Sequence, residues 1–221
     1  MLDVRFKIGG SLRFVSHAET LRIFQRACVR AGIPLQYSKG FNPRPKLSLL
    51  LPRPVGVESD EELLYLRVDR DSPPDTRAVN EQRIQTELAA QLPEGCEILS
   101  VSIIEAGTTF QPSSATYVLP VRREVLNERL ESTVDRVLAS ESLPVQRSRG
   151  PSGNAKSSPG KNIDVRFFLK SIKLNDRSII VECKISPEGS IRVDEILELL
   201  ELDESKLSGP IRRTNVQWHR N

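Results

Sequence analysis

The stretch VRFKIGGSLRFVSHAETLRIFQRACVRAGIP, residues 4–34, sets the start of the fold. Residues 4–8 read as a short strand ending at Gly9-Gly10. Ser16 is followed three residues later by Glu19, the capping-box spacing in which each side chain satisfies the other's backbone N–H. Leu21, Phe24, Ala27, Cys28 and Ala31 then recur at helical spacing until Gly32 and Pro34 stop the helix. Downstream, residues 47–51 read as a buried strand and 62–69 as a further strand. Residues 76–92 form an amphipathic helix entered after Pro73-Pro74, and 97–104 a last strand. The order β-α-β-β-α-β predicts a ferredoxin-like unit, an antiparallel sheet with both helices on one face.

The second half repeats the order in degenerate form. Residues 107–114, rich in Gly, Pro, Ser and Thr, read as a linker. Strands are expected over 116–121, 143–147, 178–185 and 211–218, and helices over 122–139 and 193–202. The expected fold class is therefore α+β, with two tandem ferredoxin-like (βαββαβ) domains of antiparallel sheet, residues 1–106 and 115–221. The second carries a mobile Gly/Ser/Pro-rich insertion over 148–162. Its segment GPSGNAKSSPGK, residues 150–161, is no phosphate loop. Position 155 is alanine, and Asn162 stands where a Ser or Thr must follow Gly160-Lys161.

Composition narrows the function. Of 221 residues, 38% are apolar and 28% charged, an ordinary globular balance. No run approaches the roughly 20 apolar residues that cross a bilayer, and residues 1–10 lack a signal-peptide core, so no membrane association and a cytoplasmic location are expected. Cys28, Cys96 and Cys183 are far apart and odd in number, with no Cys-x-x-Cys, which argues against disulfides, a zinc ribbon or an iron–sulfur site within this chain. Charge is unevenly spread. Residues 1–56 hold ten Arg or Lys against Asp3 and Glu19, a local net of +8 in a chain of net +3. Such asymmetry points a basic face at an anionic partner.

The densest part of that face runs from Arg13 to Lys46. Arg22, Arg26 and Arg30 are four apart and form one helical stripe. The loop Tyr37-Ser-Lys-Gly-Phe-Asn-Pro-Arg-Pro-Lys46 has two prolines, a glycine and an asparagine, so its shape is defined. It offers Lys39, Arg44 and Lys46 to phosphates, and Phe41 or Tyr37 to stack on an unpaired base. The competing reading is that the arginines solvate the outer helix face and Phe41 plugs the core. The expected nucleic-acid-binding set is Arg13, Arg22, Arg26, Tyr37, Lys39, Phe41, Asn42, Arg44 and Lys46. His17, at the first helical position, is the candidate general base for metal-independent RNA cleavage, although no second acid–base group is identifiable by spacing. No metal site is expected, because His219 lies in the tail without a carboxylate cluster. The tail arginines Arg212, Arg213 and Arg220 would extend the basic surface.

These residues also carry a resemblance. Leu12-Arg-Phe-Val-Ser-His17, the arginine-rich helix, Gly40-Phe-Asn-Pro-Arg-Pro-Lys46 and Pro54-Val-Gly-Val-Glu-Ser59 resemble the bacterial radical SAM-linked family of unknown function, most strongly over residues 5–59. Asp164-Val-Arg166 and Arg213-Thr214 are similar to its C-terminal signatures. The family's usual Ser-His-Leu-Asp reads Ser16-His-Ala-Glu19 here, and its Asp-hydrophobic-Arg-Pro reads Asp164-Val-Arg-Phe167. Members of that family are encoded beside, or fused to, a radical SAM protein, and often neighbour a ribonuclease of the E/G type. The resemblance thus implies a radical SAM protein as partner and RNA as ligand. The iron–sulfur cluster and SAM would sit on the partner, with no cofactor held by this chain alone. Three functions follow as expectations: a non-catalytic RNA-binding accessory protein in RNA modification or processing, an endoribonuclease using His17, or an adaptor docking an acidic protein surface.

Overall fold

Alternate burial along the first strand sets the architecture. β1 (Leu2–Ile8) turns Leu2, Val4, Phe6 and Ile8 into one apolar cluster, the period-two pattern of a strand with a packed face. The computed structural model describes residues 1–69, 80–105, 107–147 and 161–220. Within it a 3₁₀ turn, Gly10–Phe14, leads to α1 (His17–Arg30). Then follow β2 (Leu47–Leu49), β3 (Glu58–Leu66), α2 (Glu81–Ala89), β4 (Cys96–Ile103) and β5 (Phe110–Pro120). After these come α3 (Glu128–Ala139), β6 (Pro144–Arg147), β7 (Lys161–Asp164), β8 (Leu169–Asn175) and β9 (Ser178–Ser186). β10 (Gly189–Ser190), α4 (Val193–Leu199) and β11 (Arg212–Arg220) complete a mixed α+β chain with mostly antiparallel pairing. Packing divides it into two units, Met1–Pro112 with Ile211–Asn221, and Ser113–Pro210.

In the first unit β1 pairs antiparallel with β3 and β4, and β2 pairs antiparallel with β3, giving the order β2-β3-β1-β4. The capping box at α1 forms as its spacing requires: the Ser16 hydroxyl accepts from Glu19 N at 3.3 Å, and Ser16 N donates to Glu19 Oε2 at 2.8 Å. α1 buries Phe24, Ala27 and Cys28, and α2 buries Ile84 and Leu88, all in the cluster that holds the β1 side chains. The Phe6 and Phe24 rings lie 4.5 Å apart, centroid to centroid. The six elements of this half stand in the expected order. Pro73-Pro74 and the expected start of the second helix lie outside the described residues.

The second half departs from expectation. Residues 110–114 belong to β5 rather than to a linker. β6 does not join the strands around it but pairs with β7 in a separate two-stranded sheet. β8, unforeseen, pairs with β9, which also pairs with β5, so the unit is built on the antiparallel order β8-β9-β5. β11, expected to close a second β-α-β-β-α-β, instead runs parallel to β3 at Arg212↔Glu58 and Arg213↔Ser59 and counts with the first unit. The reason is that alternation specifies a strand's faces and leaves its neighbour open. The expected mobile insertion lies outside the described residues except at 161–162, which begin β7.

Two arginine–acid devices tie the second unit. Arg147 of β6 meets Glu195 of α4 in a double hydrogen bond of 2.5 and 2.8 Å and donates to Ser190 O at 2.6 Å. Burial works against the Glu195 charge. Arg147, with Arg192 N, outweighs it and holds the carboxyl below its ordinary range. Asp164 accepts from Leu143 N and Arg166 N. Arg166 in turn donates to the carbonyls of Leu138, Ser140 and Leu169. The Asp164-Val-Arg166 signature is thus a clamp on the C-terminal end of α3, filling carbonyls that a helix end leaves open.

Candidate nucleic-acid interface

The ten cations of residues 1–56 divide into two groups. Arg5 bonds Glu61 and lies 3.9 Å from Asp3, and Lys7 lies 3.6 Å from Glu97. Arg13, half-buried, donates to Gly10 O at 2.9 Å and covers the Phe14 ring at 4.3 Å. Arg30 donates to Gln91 Oε1 and Gln91 O. Arg53 is 7% exposed and donates to the carbonyls of Leu12, Arg13, Val15, Pro54 and Val57. The other five, Arg22, Arg26, Lys39, Arg44 and Lys46, are exposed, and their side chains make no hydrogen bond or ion pair with the described residues. Arg22 and Arg26 stand on the outer face of α1, whose inner face packs toward β2.

Lys39 and Arg44 share one loop. Gln36 N donates to Arg67 O at 2.7 Å, and Lys46 N to Gln36 O at 2.8 Å, so both arms are tied beside the end of β3. Above this, Ser38 N donates to Arg44 O at 2.8 Å and Arg44 N to Ser38 Oγ at 2.9 Å. The neck is closed and residues 39–43 project as a tip. Gly40 turns that tip with φ +135°, a backbone conformation that disfavours side chains. Phe41 is 106% exposed, so it does not plug the core. Tyr37 is exposed at the neck, bridged to Pro45, and Asn42 is exposed at the tip. A solvent-exposed ring between Lys39 and Arg44 is a surface that a stacked base beside its phosphates would cover.

Beside the root of this loop lies a groove of about 720 Å³, lined by Lys46, Leu47, Ser48, Leu50, Tyr65, Arg67, Asp69, Thr108 and Thr109 among others. Lys46 and Arg67 stand opposite each other one step beyond the pair Leu47↔Leu66, joined by Arg67 N donating to Lys46 O at 3.1 Å. The Tyr65 hydroxyl accepts from Phe110 N at 2.8 Å, and burial pushes the phenol above its ordinary range. The sequence reading missed Arg67, Ser48 and Leu50. The one signal for Arg67 was its place opposite Lys46, visible only once the register of β2 and β3 is known.

His17 opens α1 as expected, but its Nδ1 is buried without a hydrogen-bond partner among the described residues. It lines a crevice with Arg53, Glu62, Phe6 and Ile8 that leaves no room for a water molecule. Glu62, 2% exposed, bonds Arg213, 1% exposed, at 2.5 Å. The tail therefore does not extend a free basic surface. Arg213 is interior, Arg212 lies 3.5 Å from Glu58, and Arg220 lies 4.0 Å from Glu105. Burial pushes the thiols of Cys28, Cys96 and Cys183 up to about 12, so none is a ready thiolate at neutral pH. Among the described residues no three His, Cys, Asp or Glu side chains cluster to hold a metal ion. No helix among them is long and apolar enough to cross a membrane.

Residues 2–195 match the bacterial family DUF2344, described as an uncharacterized protein conserved in bacteria, and the chain belongs to that family. No curated protein matches it.

Proposed function

We propose that this DUF2344 protein is a non-catalytic RNA-binding accessory protein, cytoplasmic, acting with a radical SAM enzyme in RNA modification or processing. Iron–sulfur and SAM chemistry would belong to that partner. The observation that carries the reading is the loop 38–44. A closed neck holds Phe41 wholly in solvent between Lys39 and Arg44, neither of which has an internal partner among the described residues. Exposing a phenyl ring and leaving two cations uncompensated does nothing for the fold, whereas both features suit a strand of unstacked bases and phosphates. The order β2-β3-β1-β4 with α1 and α2 as crossovers supports a ferredoxin-like reading of the first unit, an architecture used by single-strand RNA binders.

The test is binding of a labelled cellular RNA pool across a salt series, with a Lys39→Ala/Arg44→Ala/Lys46→Ala variant alongside. Each phosphate contact on single-stranded RNA contributes about 0.7 to the slope of log K against log salt, so the variant should lose roughly 2. Equal slopes, or no binding by either protein, overturn the reading. Binding to an acidic partner protein without RNA would then identify an adaptor.

A further inference from the structure

We propose that the groove beside the root of the loop receives one nucleotide of the bound single strand. Its phosphate would lie between Lys46 and Arg67, and its base on the apolar wall formed by Leu50 and Tyr65. This rests on the RNA reading and assigns that site a pocket for a single residue of the ligand.

Three observations carry it. The first is charge. Lys46 and Arg67 face each other just beyond the paired ends of β2 and β3, an arrangement that costs stability because like charges are brought side by side. Neither is bonded to an acid among the described residues, so the site is complementary to an anion placed between them. The second is size and chemistry. The groove of about 720 Å³ falls within the range of small-molecule sites and exceeds what a bare phosphate fills. Its wall combines an aromatic ring and the Leu50 side chain with the hydroxyls of Ser48, Thr108 and Thr109, a mixture that suits a flat base and a ribose. The third is continuity. Lys46 ends the loop whose tip holds Lys39 and Phe41 and whose neck holds Arg44, so a strand lying along the loop reaches the groove without leaving the protein surface.

The occupant is thus a nucleotide, in which base and phosphate are recognised together, rather than an isolated anion. The test titrates the intact protein with adenosine 5′-monophosphate, adenosine and inorganic phosphate, following backbone amide resonances by NMR. The monophosphate should move the amides of Ser48, Leu50, Arg67 and Val68, and should bind at least about fivefold more tightly than adenosine or phosphate alone. Arg67→Gln, at an exposed position, should weaken the monophosphate about fivefold or more and leave the thermal transition in place. A monophosphate at about 10 mM that leaves these amides unmoved overturns the groove assignment, as does phosphate alone binding equally well. A separate Lys39→Ala/Arg44→Ala variant keeps the two readings apart. If it loses RNA salt dependence while the groove stays silent, the groove falls and the RNA reading stands. If the groove takes the nucleotide but no RNA binds the wild type, the nucleotide site stands and the RNA reading falls.

Discussion

Two pieces of one basic stretch use their cations in opposite ways. Around residues 10–15 and 53–57, Arg53 is drawn inside and its guanidinium is shared among five backbone carbonyls. In residues 38–44, Lys39 and Arg44 point away from a neck that is already closed by backbone and Ser38 bonds. An arginine satisfied by carbonyls is a structural element, because its removal leaves acceptors buried and unpaired. A cation that bonds nothing, beside an exposed ring, contributes little to folding and is open to an external anion. Counting charge along the sequence merges the two, and accounting for each donor separates them. Arg166, bonded to carbonyls, and Arg213, bonded to the buried Glu62 carboxylate, also fall on the structural side, although both lie in stretches that resemble family signatures.

The comparison breaks first at its interior end. Glu62→Gln leaves the Arg213 guanidinium, 1% exposed, without its carboxylate. Removing one partner of a buried pair costs about 3–5 kcal/mol, so urea unfolding should show a loss of that size. A loss below about 1 kcal/mol would mean that the pair is wetter than its burial indicates. Arg53→Met keeps most of the apolar stem and removes the donors. Orphaned acceptors cost about 1–3 kcal/mol each when buried, and partial hydration here brings the expected total to about 3 kcal/mol. If the variant unfolds at the wild-type midpoint, Arg53 is not the staple described above.

A smaller effect is expected at the helix start. Ser16→Ala removes the hydroxyl that accepts from Glu19 N and should lower stability by about 1 kcal/mol. Its measurement also calibrates how far local sequence signals reach. The capping box, the apolar face of α1 and the order of the first six elements were legible because each rests on side chains within one or two turns of each other. The pairing of β11 with β3 was not, since the partners are more than 150 residues apart in sequence. β8 escaped because a bulge between Leu169 and Ser171 interrupts its alternation, directly after the 3₁₀ turn Arg166–Phe168. At the candidate site, the cations of the loop were legible from composition. The exposure of Phe41 was not, because an isolated phenylalanine reads equally well as core or surface.

The smallest expected effect on stability is the most informative. Lys39→Ala/Phe41→Ala/Arg44→Ala removes two cations and a whole aromatic side chain, changes that in a protein interior would cost several kcal/mol. Here Phe41 is fully in solvent and the loop is closed by Ser38 Oγ, Ser38 N and the Arg44 backbone, all of which the variant retains. Its unfolding free energy should therefore match wild type within about 0.5 kcal/mol. RNA affinity should nevertheless fall, by about 1–3 kcal/mol for the lost stacking alone and further at low salt. The two measurements on one variant separate the roles: stability reports whether the side chains hold the fold, and affinity whether they face a ligand. A loss of stability comparable to that of Arg53→Met would place the loop in the same structural class as Arg53 and remove the contrast on which the RNA reading depends.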